Sequence, residues 1–407
     1  MNINNKSLIL LISLIICCCT ACGAEPLGFR SSFMNFFKEA HSETKNVPLK
    51  ILTLPSLENY NRLNAAWLDS NSIIIMAAKY YEQMDPSLKP AEKPDWLKTM
   101  YEFYRYDLSN DKLEKITEYP MGDEPFFLYV KKINNSAFAF KTGKELVIYS
   151  FSEKKVIYRY RYPIEDFGLH LIEISPDGEK IASLWHEPKI RADIIYTGIN
   201  GQKKENETIY IDGVESINYP NWSSDSRHIL IYSSAKRDVI NGVTVIDTLK
   251  KSYKTNKYRR PYTYDTRAFW GSENLCYIKC DIVDGGGYHL NRFEKYNAET
   301  GFVEILPLPE NIKTRRTDYR LASSAEPVVF LSCLDWTDLT INMKPISSFI
   351  AYNYKSGREC HSEAIVGYGT ECIPALSPDG SKATIILVKA DDNSTTLKIA
   401  VFDFSRI

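Results

Sequence analysis

The chain offers few groups for catalytic chemistry, and its six histidines are the first to weigh: His41, His170, His186, His228, His289 and His361. No two stand in His-x-x-x-His spacing, which would set two imidazoles on one helix face as metal ligands. His186 follows the apolar run Ile181–Trp185 and is the one placed to face a central channel. A lone histidine there reads as a hydrogen-bonded structural residue before it reads as a ligand. No Gly-x-Ser-x-Gly string supplies a serine nucleophile on a strand-to-helix elbow. Gly285-Gly286-Gly287 lies between strand-like runs, so it reads as a loop and not as a phosphate cradle ahead of a helix. Aspartates are frequent, but none fall in the Asp-x-Asp-x-Asp-Gly order of a calcium loop. The sequence therefore names no cofactor and no metal.

Five cysteines lie beyond the N-terminal segment: Cys276, Cys280, Cys333, Cys360 and Cys372. Their number is odd, so at least one has no partner within the chain. Cys276 and Cys280 are four apart in a strand-like run, on one side but too distant to bridge. Small core residues is the reading for most of them, and Cys360–Cys372 is the one disulfide worth testing.

The remaining candidates are polar and aromatic residues between strand-like runs: Trp96, Arg191, Asp193, Arg237, Asp238, Asp284, Asp335, Trp336, Asp338 and Asp391. Rings mixed with charges suit a protein, peptide or glycan partner, and such residues concentrate on loops held by a scaffold. Lys+Arg is 50 and Asp+Glu is 51, a balance that gives no electrostatic reason to expect nucleic acid.

The elements that must position these residues are hairpins. In Ser175-Pro-Asp-Gly178, Pro pre-sets one turn φ, Asp bonds the local backbone, and Gly takes the left-handed place that closes the turn. Ser377-Pro-Asp-Gly380 is a near copy, and Trp222-Ser-Ser-Asp-Ser-Arg-His-Ile229 is a weaker one. A bulky residue before the turn and a strand-core residue seven positions later recur at Trp67/Ile74, Val130/Ala137, Ile174/Ile181, Trp222/Ile229, Trp270/Tyr277, Leu321/Val328 and Leu376/Ala383. The period is about 50 residues, the size of one four-stranded propeller blade. Were the blade count other than seven, Val130 and Leu321 would be the first index residues to suspect. The last unit ends with three strands, and the isolated apolar strand Val47–Pro55 fits its empty place. Such pairing closes the ring and removes two open sheet edges. The expected fold is all-β: a seven-bladed β-propeller of four-stranded antiparallel blades, with the N-terminal strand closing the last. The propeller spans 47–407, with blades near 60–120, 125–163, 168–213, 216–258, 265–309, 317–367 and 369–407 plus 47–55. The longer strand-two-to-three connections leave from one face, which carries the candidate binding residues.

The Ser-Pro-Asp-Gly hairpin leading into an Ile-Ala strand, at this period, resembles the TolB-type propeller repeats of bacterial periplasmic proteins. It is also similar to the N-terminal propeller of prolyl oligopeptidase-like peptidases, although no residues remain here for their hydrolase domain. The motif itself is a structural turn and carries no family's functional residues onto this chain.

Residues 1–21 read as a signal peptide: Lys6 is positive, and Leu8 to Ile16 is an apolar core too short for a bilayer-spanning helix. Cys19-Thr-Ala-Cys22 followed by Gly23 resembles the lipobox of bacterial lipoproteins, with Cys22 as the lipidated residue; Cys19 departs from the usual aliphatic residue. Ordinary cleavage near Gly23 or Ala24, releasing a soluble protein, is the alternative. Residues 22–46 form a tether with a Phe-rich patch. The expected function is a non-catalytic, lipid-anchored binding or scaffolding module of the cell envelope. The alternative is a propeller enzyme, a glycan lyase or hydrolase, working in the central channel.

Overall fold

The computed structural model describes residues 46–52, 54, 62–78, 100–120, 129–162, 171–186, 189–201, 204–214, 216–235, 240–259, 266–270, 275–284, 287–297, 299–306, 322–323, 328–335, 346–353, 356, 358–370, 375–391 and 394–405. All regular structure among them is β, in seven sheets. Blade 1 holds Arg62–Trp67, Ser72–Ala78, Met100–Asp107 and Lys112–Pro120. Blade 2 holds Val130–Ile133, Ala137–Lys141, Glu145–Ser150 and Lys155–Arg161. Blade 3 holds Ile172–Ile174, Lys180–Trp185, Arg191–Tyr196 and Glu207–Tyr210. Blade 4 holds Ser216–Trp222, His228–Ala235, Ile240–Asp247 and Ser252–Arg259, and blade 5 holds Thr266–Trp270, Leu275–Asp284, Gly287–Asn297 and Val303–Leu306. Blade 6 is built on Ala322–Ser323, Val328–Asp335, Ile346–Asn353 and Arg358–Ser362. Blade 7 is built on Ala375–Leu376, Lys382–Asp391 and Ser394–Asp403.

Lys50–Ile51 supplies the missing fourth strand of blade 7, antiparallel to Ser394–Asp403, and the Leu52 amide extends the ladder to the Ile399 carbonyl. The N-terminal segment does more than the sequence suggests. Asn46–Val47 pairs in parallel with Arg358–Ser362 of blade 6. Pro48 lies between the two pieces; lacking an N–H, it cannot continue one ladder, and the segment passes from one blade to the next.

The first strands of blades 1 and 2, 3 and 4, 4 and 5, 5 and 6, 6 and 7, and 7 and 1 touch one another and so form the inner ring. The core lies between blades. In Ser72–Ala78 every residue is buried: Ile73, Ile75 and Ala77 pack toward blade 7, while Ile74, Met76 and Ala78 pack toward blade 2. A middle strand covered on both faces must be apolar at every position, which is why its sequence runs without alternation. Blade 2 divides sizes between its faces: Phe138 and Phe140 stack with Phe103 of blade 1, while Ala137 and Ala139 admit blade 3.

Three tryptophans repeat one inter-blade device. Trp67 Nε1 donates to the Ala375 carbonyl, Trp222 Nε1 to Glu173 and Trp270 Nε1 to Asn221, at 2.8, 2.9 and 2.7 Å. Each reaches the first strand of the preceding blade, one residue before the end of its regular pairing. The Trp67 bond lies across the seam that closes the ring.

The Ser-x-Asp turns share one bonding pattern. Ser175 Oγ donates to Asp177 and accepts from the Lys180 amide, and Asp177 accepts from the Glu179 amide. Ser223–Asp225 and Ser377–Asp379 do the same. Gly178 and Gly380 take φ of 76° and 68°, and Ser226 holds the same place at 58°. Ser175, Ser223 and Ser377 are buried. Ser175→Ala takes the side-chain acceptor from the Lys180 amide and one of the two hydrogen bonds from Asp177 Oδ1, and is expected to cost about 1–3 kcal/mol, read as a shift of the urea midpoint at unchanged slope.

The register of these three turns matches the spacing, at Ile174↔Ile181, Trp222↔Ile229 and Leu376↔Ala383. The other index pairs shift. Trp67 and Trp270 face Ile73 and Cys276, one residue earlier than read. In blade 2 the equivalent of the index residue is Ile133, opposite Ala137, not Val130. In blade 6 the ladder runs Ala322↔Phe330 and Ser323↔Val329, beyond Leu321.

Candidate functional site

In an up-and-down blade the strand-one-to-two and three-to-four turns share one face; the two-to-three and four-to-one connections share the other. The turn face is stitched from blade to blade. The Asn134 amide donates to Pro176 O, the Asp177 amide to Ser226 Oγ, Lys382 Nζ to Ser70 O, and Lys254 Nζ to Glu299 O. Arg227 forks onto Asp247 at 2.7 and 3.1 Å and reaches Glu299 of blade 5 at 3.3 Å. These groups are committed to holding blades together.

His228 lies at the same face and packs against Trp270 of blade 5, ring centroids 5.8 Å apart. Its side chain is 2% exposed, with Nε2 3.7 Å from Asp247 and Nδ1 4.0 Å from Asp225. Burial depresses its pKa despite the two aspartates. The folded state therefore holds the neutral imidazole, while the unfolded chain takes a proton near pH 6.5. Stability present above that pH is lost as pH falls through 6.5 toward the folded pKa. Burial works to raise the pKa values of Asp247 and Asp379, but their hydrogen bonds more than offset it and hold both at about 2, so a second loss begins below pH 4. Urea unfolding at pH 7 and pH 5 should show a decline in the wild type that His228→Gln reduces.

The opposite, connection face collects chemistry of another kind. At blade 3, Arg191 lies over the Trp185 ring at 4.9 Å and its Nε is 3.3 Å from Asp193 Oδ2. Thr208 donates to Asp193 at 2.7 Å. Trp185 Nε1 is buried without a partner among the described residues. Arg191 and Asp193 lie within the strand Arg191–Tyr196, not in the loop that sequence assigned them, because Trp185 already pairs with Arg191.

Asp284, Asp335 and Asp391 are the last residues of second strands in blades 5, 6 and 7. The strands there are longer than the sequence suggested, and only residues 285–286 and 392–393 separate the second and third strands of blades 5 and 7. Trp96, Arg237, Asp238, Trp336 and Asp338 lie outside the described residues, as do Cys22 and Cys372; Cys360 is buried in Arg358–Ser362. His186 is exposed just past Lys180–Trp185, one strand out from the inner ring. The residues of the predicted face that are described thus come together only as Arg191 with Asp193.

A buried polar cluster lies between blades 2 and 3, and sequence reasoning missed it. Glu173 accepts from Lys131 Nζ at 2.7 Å and Tyr129 Oη at 2.5 Å, with Lys141 Nζ 3.4 Å away. Lys131 also donates to the Ile174 carbonyl at 3.0 Å, linking the two inner strands. Lys141 Nζ sits 4.1 Å over the Tyr129 ring. Burial works to raise the Glu173 pKa, but the two ammonium groups more than offset it and hold the carboxyl ionised. Burial pushes the Lys141 ammonium down against the pull of Glu173. Burial and Glu173 together push Tyr129 well up, and burial pushes Tyr162 up as well. Tyr129 therefore stays neutral and donates its hydroxyl proton in a hydrogen bond to the ionised Glu173.

No protein-family model and no curated protein sequence matches this chain. Solved structures do. An oligogalacturonate lyase in complex with manganese aligns over 89% of this chain and 99% of its own, at 13% identity and a TM-score of 0.58. Puromycin hydrolase aligns over 88% of this chain at 10% identity and a TM-score of 0.53, with 55% of its own length covered. TolB from Acinetobacter baumannii aligns over 74% of this chain and 76% of its own, at 13% identity and a TM-score of 0.37. At these identities the likeness to the lyase and the hydrolase shows the fold alone: a β-propeller, a scaffold used by enzymes among others.

Proposed function

We propose that the chain is a non-catalytic binding or scaffolding module of the bacterial cell envelope, tethered through lipidated Cys22, which engages a protein, peptide or glycan through its connection face. One observation carries the reading. The turn face spends its polar groups on inter-blade bonds, while at the connection face the 27% exposed Arg191 stacks on Trp185 where the third strand of blade 3 begins. Binding residues on a closed scaffold concentrate where backbone pairing ends.

The enzyme reading is favoured by two things: the Glu173–Lys141–Tyr129 group contains residue types able to move protons, and a lyase and a hydrolase share the fold. Parallel arrays separate the readings. The protein is presented to envelope glycans and peptides, and each spot is assayed for both retention and new products. Retention of a subset without product is expected; cleavage or elimination products that grow with time would overturn it in favour of the enzyme. Fatty-acid labelling should disappear in Cys22→Ser, and labelling that survives would remove the anchor from the proposal.

A further inference from the structure

We infer that Trp185, Arg191, Asp193 and Tyr210 form a binding site for a neutral sugar unit, on the surface of blade 3 that faces blade 2. The inference rests on the connection face being the binding face, and it names the class of partner. Register assembles the site. Trp185 pairs with Arg191 and Arg191 with Tyr210, so the three side chains form one row across three strands; Ser183, Asp193 and Thr208 form the next row. Side chains two apart in a strand share a face. Ile181 and Ile195, two places inside Ser183 and Asp193, pack at the core between blades 2 and 3. Trp185 closes the second strand, Arg191 opens the third and Tyr210 closes the fourth, which sets the row at the connection-face rim of that core.

The row is open and keeps its donors. Tyr210 is 57% exposed, and its ring meets no other ring or cation among the described residues. Among the same residues Arg191 hydrogen-bonds through Nε alone, to Asp193 Oδ2 at 3.3 Å, and Trp185 Nε1 has no acceptor. The stack on Trp185 and the Nε bond fix the guanidinium, which leaves its two Nη groups as positioned donors. Asp193 accepts from Thr208 and Arg191, and a carboxylate has lone pairs for a further donor. Donor and acceptor side by side match two neighbouring hydroxyls of a sugar, each of which both donates and accepts. The electron-rich face of the free phenol ring suits the C–H groups of a pyranose. Charge selects a neutral sugar: Asp193 already offsets Arg191, and an acidic ligand reaching the guanidinium meets that carboxylate beside it. An extended peptide would add to the outer edge of Glu207–Tyr210, in the plane of the sheet, and would leave a row that stands on its face unused.

The test is calorimetric titration of the full chain with cellotetraose and N-acetylchitotetraose as neutral probes and tetragalacturonate as the acidic one. Saturable binding of a neutral tetramer, tighter than that of tetragalacturonate, is expected. Tyr210→Ala and Arg191→Ala should each weaken it about tenfold. Tyr210→Phe, which keeps the ring, should bind as the wild type does. Asp193→Asn should narrow the gap between neutral and acidic probes by removing the charge that repels the acid. Thermal midpoints report whether each variant folds, and the exposed Tyr210 keeps the test readable if Arg191→Ala does not. Tetragalacturonate binding as tightly as the neutral tetramers, or unchanged affinity in Tyr210→Ala, would overturn the site. If no sugar binds but arrayed peptides are retained, and Arg191→Ala abolishes that retention, the sugar site falls while the binding face stands. If neither sugars nor peptides are retained, both fall.

Discussion

Deleting residues 46–54 lowers the thermal midpoint by roughly 10 °C or more, an expectation that follows from what this short segment covers. Leu52 and Leu54 are buried in the core between blades 7 and 1, and Val47 and Leu49 pack on the core between blades 6 and 7. Removing two buried leucines costs about 4–10 kcal/mol by itself, comparable to the whole stability of an ordinary domain. The deletion also strips the ladder from Ser394–Asp403 and the Lys50–Asp111 ion pair at 2.6 Å that ties the segment to blade 1. That pair is exposed and adds little. The remaining links across the closing seam, Trp67 to Ala375 and Lys382 to Ser70, stay in place. Blade 7 should therefore loosen first, with amide exchange rising in Ser394–Asp403 before the core of blades 2 to 4. An unchanged midpoint would contradict closure by this strand. Leu52→Ala alone should cost about 2–5 kcal/mol.

Gly178→Ala is the most damaging single substitution expected in the turns. Its φ of 76° is strained for any residue with a Cβ, and an added Cβ would stand 2.3 Å from Ile133 Cγ2 and 2.8 Å from Ile199 Cδ1. Ile133 is fully buried in the core between blades 2 and 3 and cannot swing away. Backbone strain of about 1–2 kcal/mol and overpacking of about 1–3 kcal/mol add to a loss of about 2–5 kcal/mol. Gly201 is the control: its φ is 81°, but an added Cβ meets nothing within 4 Å, so Gly201→Ala should show the backbone part alone, about 1–2 kcal/mol. Ile199→Val, which removes the Cδ1 that stands 2.8 Å from the added Cβ, should recover part of the loss in the Gly178→Ala background, a coupling that distant sites do not show. Equal effects at Gly178 and Gly201 would refute the tight blade contact.

The fold was legible because the turn chemistry repeats. Wherever Ser-x-Asp marks the hairpin, at 175, 223 and 377, the register followed from sequence, since Ser, Asp and the left-handed residue fix the turn length. Where spacing alone was used, the index drifted: by one at Trp67 and Trp270, whose opposed residues come one position sooner, and by three at Val130, where Asn134 at φ 44° makes a different turn. The candidate site was hardly legible. Lys131, Lys141 and Glu173 come from three strands of two blades, 32 and 42 residues apart, and only the packing of blade on blade joins them. In sequence Lys141 is the polar end of an apolar strand and Glu173 one polar residue between two isoleucines. Arg191 and Asp193 were found because they sit at a strand end beside Trp185, although they were read one element away from their true place.

In the function proposed above, the turn face is structural and the connection face meets the partner. A photoreactive amino acid placed in living cells at position 191, and separately at the exposed turn position 135, tests that assignment most directly. Adducts from position 191 with few or none from position 135, in two proteins of equal thermal stability, are the predicted result. Adducts from position 135 alone, or equally from both positions, would contradict it.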